Sequence, residues 1–507
     1  MDKIDRINQT LVQLFNLVLK LEEKALKEST FRNLSITEVH TLAAITENQT
    51  KTMTQVANEL GISVSTLTTA INRLVQKGYV HRFRVEEDRR IVKIQLTESG
   101  KSALREHEAF HIAMVSDALK TLSPEEIERF SGTMDGLMSF LMIRKTREEF
   151  GSYPQKLNAL QLGDLEIPVP LFQGAMGIGF SLHQLASAVA LRGGAGTIAA
   201  TQIGWREPDF MASPLEANLR ALEKEVKEAR RRVEGIHGRG PIGVNVLVPS
   251  KGYEAYVRKS VEAGAEFIVS SGGLPIALPS YVENPKVKLI PVVSSYRAAN
   301  LIIKSWQKKY RRLPDAFILE GPHAGAHLGL SMNQVVDSGV DFYHVVGSFK
   351  KELAAFPSIK LIVSGGIKGW DEATTYLSMG ADGIQLGTRF LTTVECDMNS
   401  SVKKTYLDLE KKQITVMESP LRMPARVLKN KLIQDVETGV RKEFQCDHCL
   451  SNCMGSESTF CVKDALIRTA NGDVDQGLLY IGEGGGEVKA LESVQDIFKE
   501  FTEKSGD

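Results

Sequence analysis

The chain has 507 residues, too many for one hydrophobic core, so two or three domains are expected. Lys+Arg 62 balances Asp+Glu 62, which excludes a polycation and confines any nucleic-acid surface to a local patch. No apolar run reaches the ~18 residues of a membrane span, and the N-terminal MDKIDRINQT lacks an apolar signal-peptide core, so a cytoplasmic protein without a membrane partner is expected.

Residues 8–27 carry Leu11, Leu14, Phe15, Val18 and Leu21 at helical spacing. Further on, Thr52–Leu60 reads as a helix, Gly61-Ile62-Ser63 as a turn, and Val64–Lys77 as a second helix capped by Ser63 and closed by Gly78. Ser65, Thr66, Thr68, Thr69 and Arg73 on that second helix suit contact with base edges and phosphates. A strand pair follows, Tyr79–Val85 and Ile91–Leu96, and residues 77–93 hold six basic against three acidic side chains. Helix, turn, helix and basic hairpin in that order predict a winged DNA-binding domain.

The stretch ISVSTLTTAINRLVQKGYVHRFRVEEDRRIVKIQLTESGKSAL resembles the MarR family, including the wing motif DRR and the LTESG after it. RINQTLVQLFNLVL, LSITEVHTL and HEAFHIAMV bring it nearest to the family's repressors of fatty-acid-synthesis genes. The resemblance implies a homodimer through the first and last helices, with the recognition helix in the major groove of operator DNA. It implies wing contacts from Arg82, Arg84, Arg89 and Arg90, with Asp88 positioning Arg90, and acyl chains on acyl carrier protein as a possible effector.

Residues 124–143 read as a helix, and 147–158, with Gly151 and Pro154, as a linker. Eight short apolar runs then alternate with helical patterns: Val169–Phe172, Gly196–Ala200, Gly243–Val248, Phe267–Ser270, Leu289–Val293, Ala316–Leu319, Leu361–Ser364 and Gly383–Leu386. Eight βα units predict an α/β TIM barrel, with a doubly wound sheet as the competing fold. In a barrel the chemistry sits at the C-terminal strand ends. Those ends are rich in glycine here, and Gly365-Gly366 and Gly387-Thr388 after the last two strands suit a phosphate. AFILEGPHAGAHLGL, residues 316–330, presents His323 and His327 at the rim beside glycines that let a flat ligand approach.

FQGAMG, GVNVLV, LEGPHAGAHLG, VSGGI, GADGIQLGTRF and SPLRMPARVLKNKL together resemble the nitronate monooxygenase superfamily, which also contains flavin-dependent enoyl-acyl-carrier-protein reductases. The resemblance implies FMN, with its phosphate at Gly365, Gly366, Gly387 and Thr388. It implies the ring near Ala175, Met176, Asn245 and Gln385, and Glu320 and Gly325 beside it. His327 matches the catalytic histidine, and His323 is given a lesser role.

Cys446, Cys449, Cys453 and Cys461 crowd together, which in a cytoplasmic protein favours metal over disulfides. The C-x2-C-x3-C spacing suits a [4Fe–4S] cluster, with zinc as the alternative metal and His448 as an alternative ligand, although the four cysteines suffice. Cys396 stands apart and reads as a buried hydrophobe, and GEGGG, residues 482–486, as a surface turn. QCDHCLSNCMGSESTFCVKDALIRTANGDVDQGLLYIGE resembles the C-terminal extension of a branch that carries a [4Fe–4S] cluster beside FMN. That branch includes an acyl-carrier-protein dehydrogenase/isomerase.

The expected fold is multidomain. An all-α winged helix-turn-helix domain fills 1–146, a linker 147–158, an α/β TIM barrel 159–435, and a cysteine-rich metal-cluster extension 436–507. The expected function is a transcriptional regulator fused to an FMN-dependent oxidoreductase of acyl-ACP. An NADH-fed enoyl reductase, a nitronate monooxygenase, and a transcription factor with a flavin- or redox-sensing barrel remain open.

Overall fold

Apolar residues from Leu34 to Leu104 meet in one core. In the computed structural model, which describes residues 3–47, 50–84, 92–150, 157–336 and 342–503, the chain forms two units, Met1–Met138 and Ser139–Asp507. The first begins with the helix Lys3–Glu28, followed by the helix Ile36–Ile45. The helix-turn-helix is Met53–Glu59 and Val64–Gln76. Ser63 starts the second of these, its Oγ accepting the Thr66 amide at 3.1 Å. Leu67, Ile71 and Leu74 recur at helical spacing, and all three are buried with Val39, Leu42, Ile45 and Val56.

The wing strands Val80–Arg84 and Val92–Leu96 pair antiparallel, Val80 opposite Leu96, with Lys51–Thr52 as a third strand. Asp88, Arg89 and Arg90 lie outside the described residues, as does the side chain of Arg84. The helices Glu98–Leu119 and Pro124–Phe150 complete this part of the chain. The last of them runs through residues 147–150, which the charged composition marks as linker. No Gly or Pro lies between Leu137 and Phe150, so nothing there stops the backbone hydrogen bonding.

All eight expected strands of the second unit form, and they are parallel neighbours in one eight-stranded sheet. In chain order they are Leu171–Gln173, Gly196–Ala199, Ile242–Leu247, Phe267–Ser271, Lys288–Val293, Ala316–Glu320, Lys360–Ser364 and Gly383–Leu386. The eighth pairs with the first, Ile384 opposite Leu171. A bridge between Phe172 and Ala195, with the Gln173 amide donating to the Ala195 carbonyl at 3.0 Å, joins the first to the second. That closure makes the sheet a barrel and removes the doubly wound alternative.

Alternate side chains divide between two cores. Phe267, Val269, Ile290, Ala316, Ile318 and Ile362 point into the barrel, whereas Ile268, Leu289, Phe317, Leu319, Leu361 and Val363 pack with the surrounding helices. A hairpin that the sequence reading missed, Leu160–Leu162 with Leu165–Ile167, contributes Leu160, Leu162 and Ile167 to the inner core. Asp164 in its turn pairs with Lys288 at the start of the fifth strand. The hairpin fills the barrel interior from below, which leaves the C-terminal strand ends as the open face.

The C-terminal segment joins the same body. Phe498 and Phe501 of the helix Val494–Glu503 belong to the main core. Phe460, Val462, Ala465 and Leu466 pack with Ile178, Leu421 and Val427. Among the described residues, no helix is long and apolar enough to cross a membrane.

Candidate active site

The loops at the C-terminal strand ends surround one cavity of about 890 Å3. Ala175, Met176, Asn245, Glu320, Gly325, His327, Gly365, Gly366, Gln385, Gly387 and Thr388, singled out from the sequence, all line it. Parallel register does the gathering, since Glu320 stands opposite Ser364 and Ser364 opposite Gln385. Hydrogen bonds then set the side chains. Gln385 Nε2 donates to Ser364 Oγ at 3.0 Å, and Ser271 Oγ donates to Asn245 Oδ1 at 3.1 Å. Ser181 Oγ accepts the Met176 amide at 2.9 Å.

The loop from Gly321 to His327 is held from three sides. The Arg426 guanidinium is buried and donates to the Pro322 carbonyl at 2.8 Å and that of Ala324 at 3.3 Å. Ala326–His327 pairs antiparallel with Pro424–Leu428, placing His327 opposite Ala425. Gly325 lies against the backbone of Ile481, where an added Cβ would come within 2.6 Å of the carbonyl carbon.

His327 Nε2 is 2.6 Å from Ser419 Oγ, and the Tyr480 hydroxyl is 3.3 Å from both ring nitrogens. The shorter Ser419 contact sets the ring orientation. The Leu421 amide donates to that same Ser419 oxygen at 3.1 Å, which leaves the hydroxyl proton free to point at the imidazole. Burial pushes His327 down to about 4 and Glu320 up to about 8. At neutral pH the cavity therefore presents a neutral imidazole and a protonated carboxyl group.

His323 takes a different role. Its Nδ1 pairs with the Glu483 carboxylate, and chiefly that hydrogen bond holds Glu483 down to about 2. Glu483 belongs to GEGGG, so the surface-turn reading of that motif is corrected. Gly485 is buried, Gly482, Glu483 and Gly484 line the cavity, and the Gly482 amide donates to Thr388 Oγ1 at 3.1 Å. Sequence alone gave no phosphate-loop signature there because the motif works by packing against the His323 loop. Arg389 was missed as well. It makes a two-pronged pair with Glu492 and reaches Glu500 at 2.6 Å, so it ties the eighth strand to the C-terminal helix.

A family match decides the relationship: the pattern described as Nitronate monooxygenase spans residues 159–504. The chain belongs to the nitronate monooxygenase family. A MarR-family match over residues 34–92 identifies the helix-turn-helix region. The HTH-type regulator YfiV of Bacillus subtilis is 35% identical over 95 residues, 18% of this chain and 59% of its own. A (3aS,4S,5R,7aS)-5-hydroxy-7a-methyl-1-oxo-octahydro-1H-indene-4-carboxyl-CoA dehydrogenase of Mycobacterium tuberculosis is 26% identical over 208 residues, 40% of this chain and 52% of its own. The chain thus spans little more than half the length of these curated relatives. The solved nitroalkane oxidase of Streptomyces ansochromogenes shares the barrel fold at TM-score 0.50 and 20% identity, covering 67% of this chain and 97% of its own.

The nitronate monooxygenase match runs through the cysteine segment. Cys446, Cys449, Cys453 and Cys461 line a small second cavity with Asp447, His448 and Lys463. Cys449, Leu450, Val462 and Lys463 line both cavities, so the two cavities share a wall. The loop is fixed there by the Lys251 amide, which donates to the Cys449 carbonyl at 2.9 Å, and by a bridge from Ser250 to Leu450. Cys461 stands at the N-cap of the helix Val462–Ala470, and burial pushes its thiol up to about 11. No three of the four sulfurs lie within 4.8 Å of one another. Cys396 is buried, as expected, and its thiol faces the Phe180 carbonyl at 3.4 Å.

The flavin reading also passes a fit test. Gly365 and Gly366 have φ of +99° and +77°, and around Gly387 a Cβ would meet nothing within 4 Å. The backbone amides there border open space of the kind a phosphate needs. A Cβ on Gly366 would sit 2.8 Å from that of His323. Gly366→Ala is therefore expected to purify with most of its flavin lost and to melt earlier, the positive φ alone costing about 1–2 kcal/mol. Flavin-to-protein ratio and thermal melting check this.

In the helix-turn-helix, Ser65, Thr66, Thr69 and Arg73 are exposed. Thr68 is half-buried and its hydroxyl donates to the Val64 carbonyl at 2.7 Å. Arg82 Nη1 donates to Asn72 Oδ1 at 3.0 Å, which holds the wing arginine beside the helix.

Proposed function

We propose that the barrel is an FMN-dependent oxidoreductase of acyl thioesters on acyl carrier protein, and that the N-terminal unit is an operator-binding dimer serving the same metabolism. The observation that carries the enzyme reading is His327, hydrogen-bonded to Ser419, in the same glycine-rimmed cavity as Glu320. Ala175, Met176, Asn245, Glu320, Gly325, Gly365, Gly366, Gln385, Gly387 and Thr388 would hold the flavin. Bound FMN supplies hydride exchange with the acyl chain. His327 takes or returns the proton at the neighbouring carbon, oriented by Ser419, with Tyr480 over the ring. The CoA-thioester dehydrogenase among the relatives supports this substrate class. Cys446, Cys449, Cys453 and Cys461 would hold a [4Fe–4S] cluster, suited to one-electron exchange.

The test is a visible spectrum with iron, sulfide and flavin assays on protein purified without oxygen. Flavin with about four iron per chain, bleached by saturated acyl carriers, supports the dehydrogenase reading. Flavin bleached by NADH, with zinc and no iron, replaces it with an enoyl reductase. Family membership favours a second reading, oxidation of a nitronate with O2, and turnover of an alkyl nitronate tests it.

Ser65, Thr66, Thr68, Thr69 and Arg73 would face DNA, with Arg82, Arg84, Arg89 and Arg90 from the wing. Ile7, Leu14 and Phe15 on the first helix, Ile112 on the fifth, and Phe130 and Met138 on the last are exposed, which supports a dimer through these helices. Arg73→Ala is expected to weaken duplex DNA binding and to lower the salt slope by about one, as read by fluorescence anisotropy across salt concentrations.

A further inference from the structure

Three helices of the N-terminal unit bring imidazoles around one buried carboxylate. Glu22 of the first helix is 5% exposed, and its Oε2 has no hydrogen-bond partner. His111 Nε2 lies 2.7 Å and His107 Nε2 3.7 Å from the other oxygen, Oε1. The two imidazole nitrogens are 3.3 Å apart. His40 Nε2 stands 3.7 Å from Oε2. Among the described residues, Glu22, His107 and His111 are the group whose three ligand atoms all fall within 4.8 Å of one another.

We propose that Glu22, His107 and His111, joined by His40, bind one divalent cation of the zinc class. The spacing carries the assignment. Ligand atoms around tetrahedral zinc, at bond lengths of 2.0–2.1 Å, stand about 3.3 Å apart, and the contacts among Glu22 Oε1, His107 and His111 run from 2.7 to 3.7 Å, with His40 beside the other carboxylate oxygen. His107 and His111 are one helical turn apart on Glu98–Leu119, so both rings leave the same face. An all-histidine partnership leaves one carboxylate oxygen unsatisfied in the core, and a cation would satisfy it. Three imidazoles and one carboxylate, with no thiolate, suit Zn2+ and exclude a preference for Mg2+ or Ca2+. The cation would join the helices Lys3–Glu28, Ile36–Ile45 and Glu98–Leu119. Leu42 of the second shares a core with Leu67 and Ile71 of the recognition helix, so occupancy would bear on the DNA-reading element.

Co2+ is the probe, added to the full-length protein in chelator-washed buffer and then displaced by Zn2+. One equivalent is expected to give the visible bands of tetrahedral nitrogen and oxygen ligation without a thiolate charge-transfer band. That band separates this site from the four cysteines. His107→Gln/His111→Gln should weaken uptake by at least the ~10–100-fold that loss of a ligand's outer partner costs, with flavin and iron contents unchanged. Glu22→Gln, which keeps the side-chain shape, should behave likewise, and circular dichroism confirms that both variants fold. No cobalt uptake by the wild type, uptake only with the thiolate band, or undiminished uptake by the folded variants overturns the proposal. The cluster would then be a buried Glu22–His111 ion pair.

Discussion

His327→Ala is expected to lower turnover of the proposed acyl substrate by about 10²–10⁴-fold, the usual share of general acid–base catalysis, and to leave bound flavin at its wild-type level. The separation is expected because the proposed phosphate cradle lies at Gly365, Gly366 and Gly387, whereas His327 hangs from the small sheet with Pro424–Leu428. Single-turnover flavin reduction reads the loss. Flavin reduction at the wild-type rate in His327→Ala would remove the proton-transfer role.

The pH dependence carries a sign. Burial holds His327 at about 4 in the folded protein, below its ordinary 6.5, so the base form persists through the mildly acidic range. Wild-type rates should show no fall near pH 6.5 and decline only toward pH 4. For stability, the depressed value means that the contribution is full above about 6.5 and is lost as pH falls toward 4. Glu320 works the other way. Its folded value of about 8 lies above its ordinary 4.5, so its contribution is full below 4.5 and is lost as pH rises through 8. Thermal melting across pH 4–9 should show both limbs, and His327→Ala should remove the acid one.

Cys449→Ser, purified without oxygen, should lose essentially all of the about four iron per chain expected of a [4Fe–4S] protein, while flavin stays bound. Cys449 is the decisive thiol because it lines both cavities. Burial pushes its unligated thiol up to about 12, so it becomes a thiolate only when a cation holds it. Serine offers a poorer ligand at the same position. Cys396→Ser is the matched control. Cys396 is buried away from the other four, beside the Phe180 carbonyl, and its loss should leave iron unchanged. Iron that survives Cys449→Ser would show that the four cysteines serve another purpose.

Much of the site was legible in the chain because its parts sit at strand ends. Ala316–Leu319 followed by EGPHAGAHLG announces a buried strand breaking into a rim, and the eight apolar runs mark where seven other rims occur. Ser419 and Tyr480 were not legible. They lie 92 and 153 residues from His327 and carry no local pattern. Arg426, which braces the loop, reads in sequence as one more charged residue. The hairpin 160–167 was lost for a related reason, since its strands are too short to show a period. GEGGG was misread because glycines signal a turn without saying what packs against it.

By itself the sequence determined the order of the elements: a helix-turn-helix with a basic hairpin, then eight strands, then four clustered cysteines. These follow from short-range periodicity, from capping residues such as Ser63, and from spacing along the backbone. Only the tertiary structure decided which distant groups meet. Barrel closure between Phe172 and Ala195 brings the eleven expected residues to one cavity. Packing of Val462 and Leu466 on Ile178 and Leu421 carries Cys449 to its edge. Burial, which no local pattern encodes, then moves His327 and Glu320 to their neutral forms. In the N-terminal unit the same logic gathers Glu22, His40, His107 and His111 from three helices. Contact across long stretches of chain depends on which faces are buried together, and that is settled by the packing of whole elements.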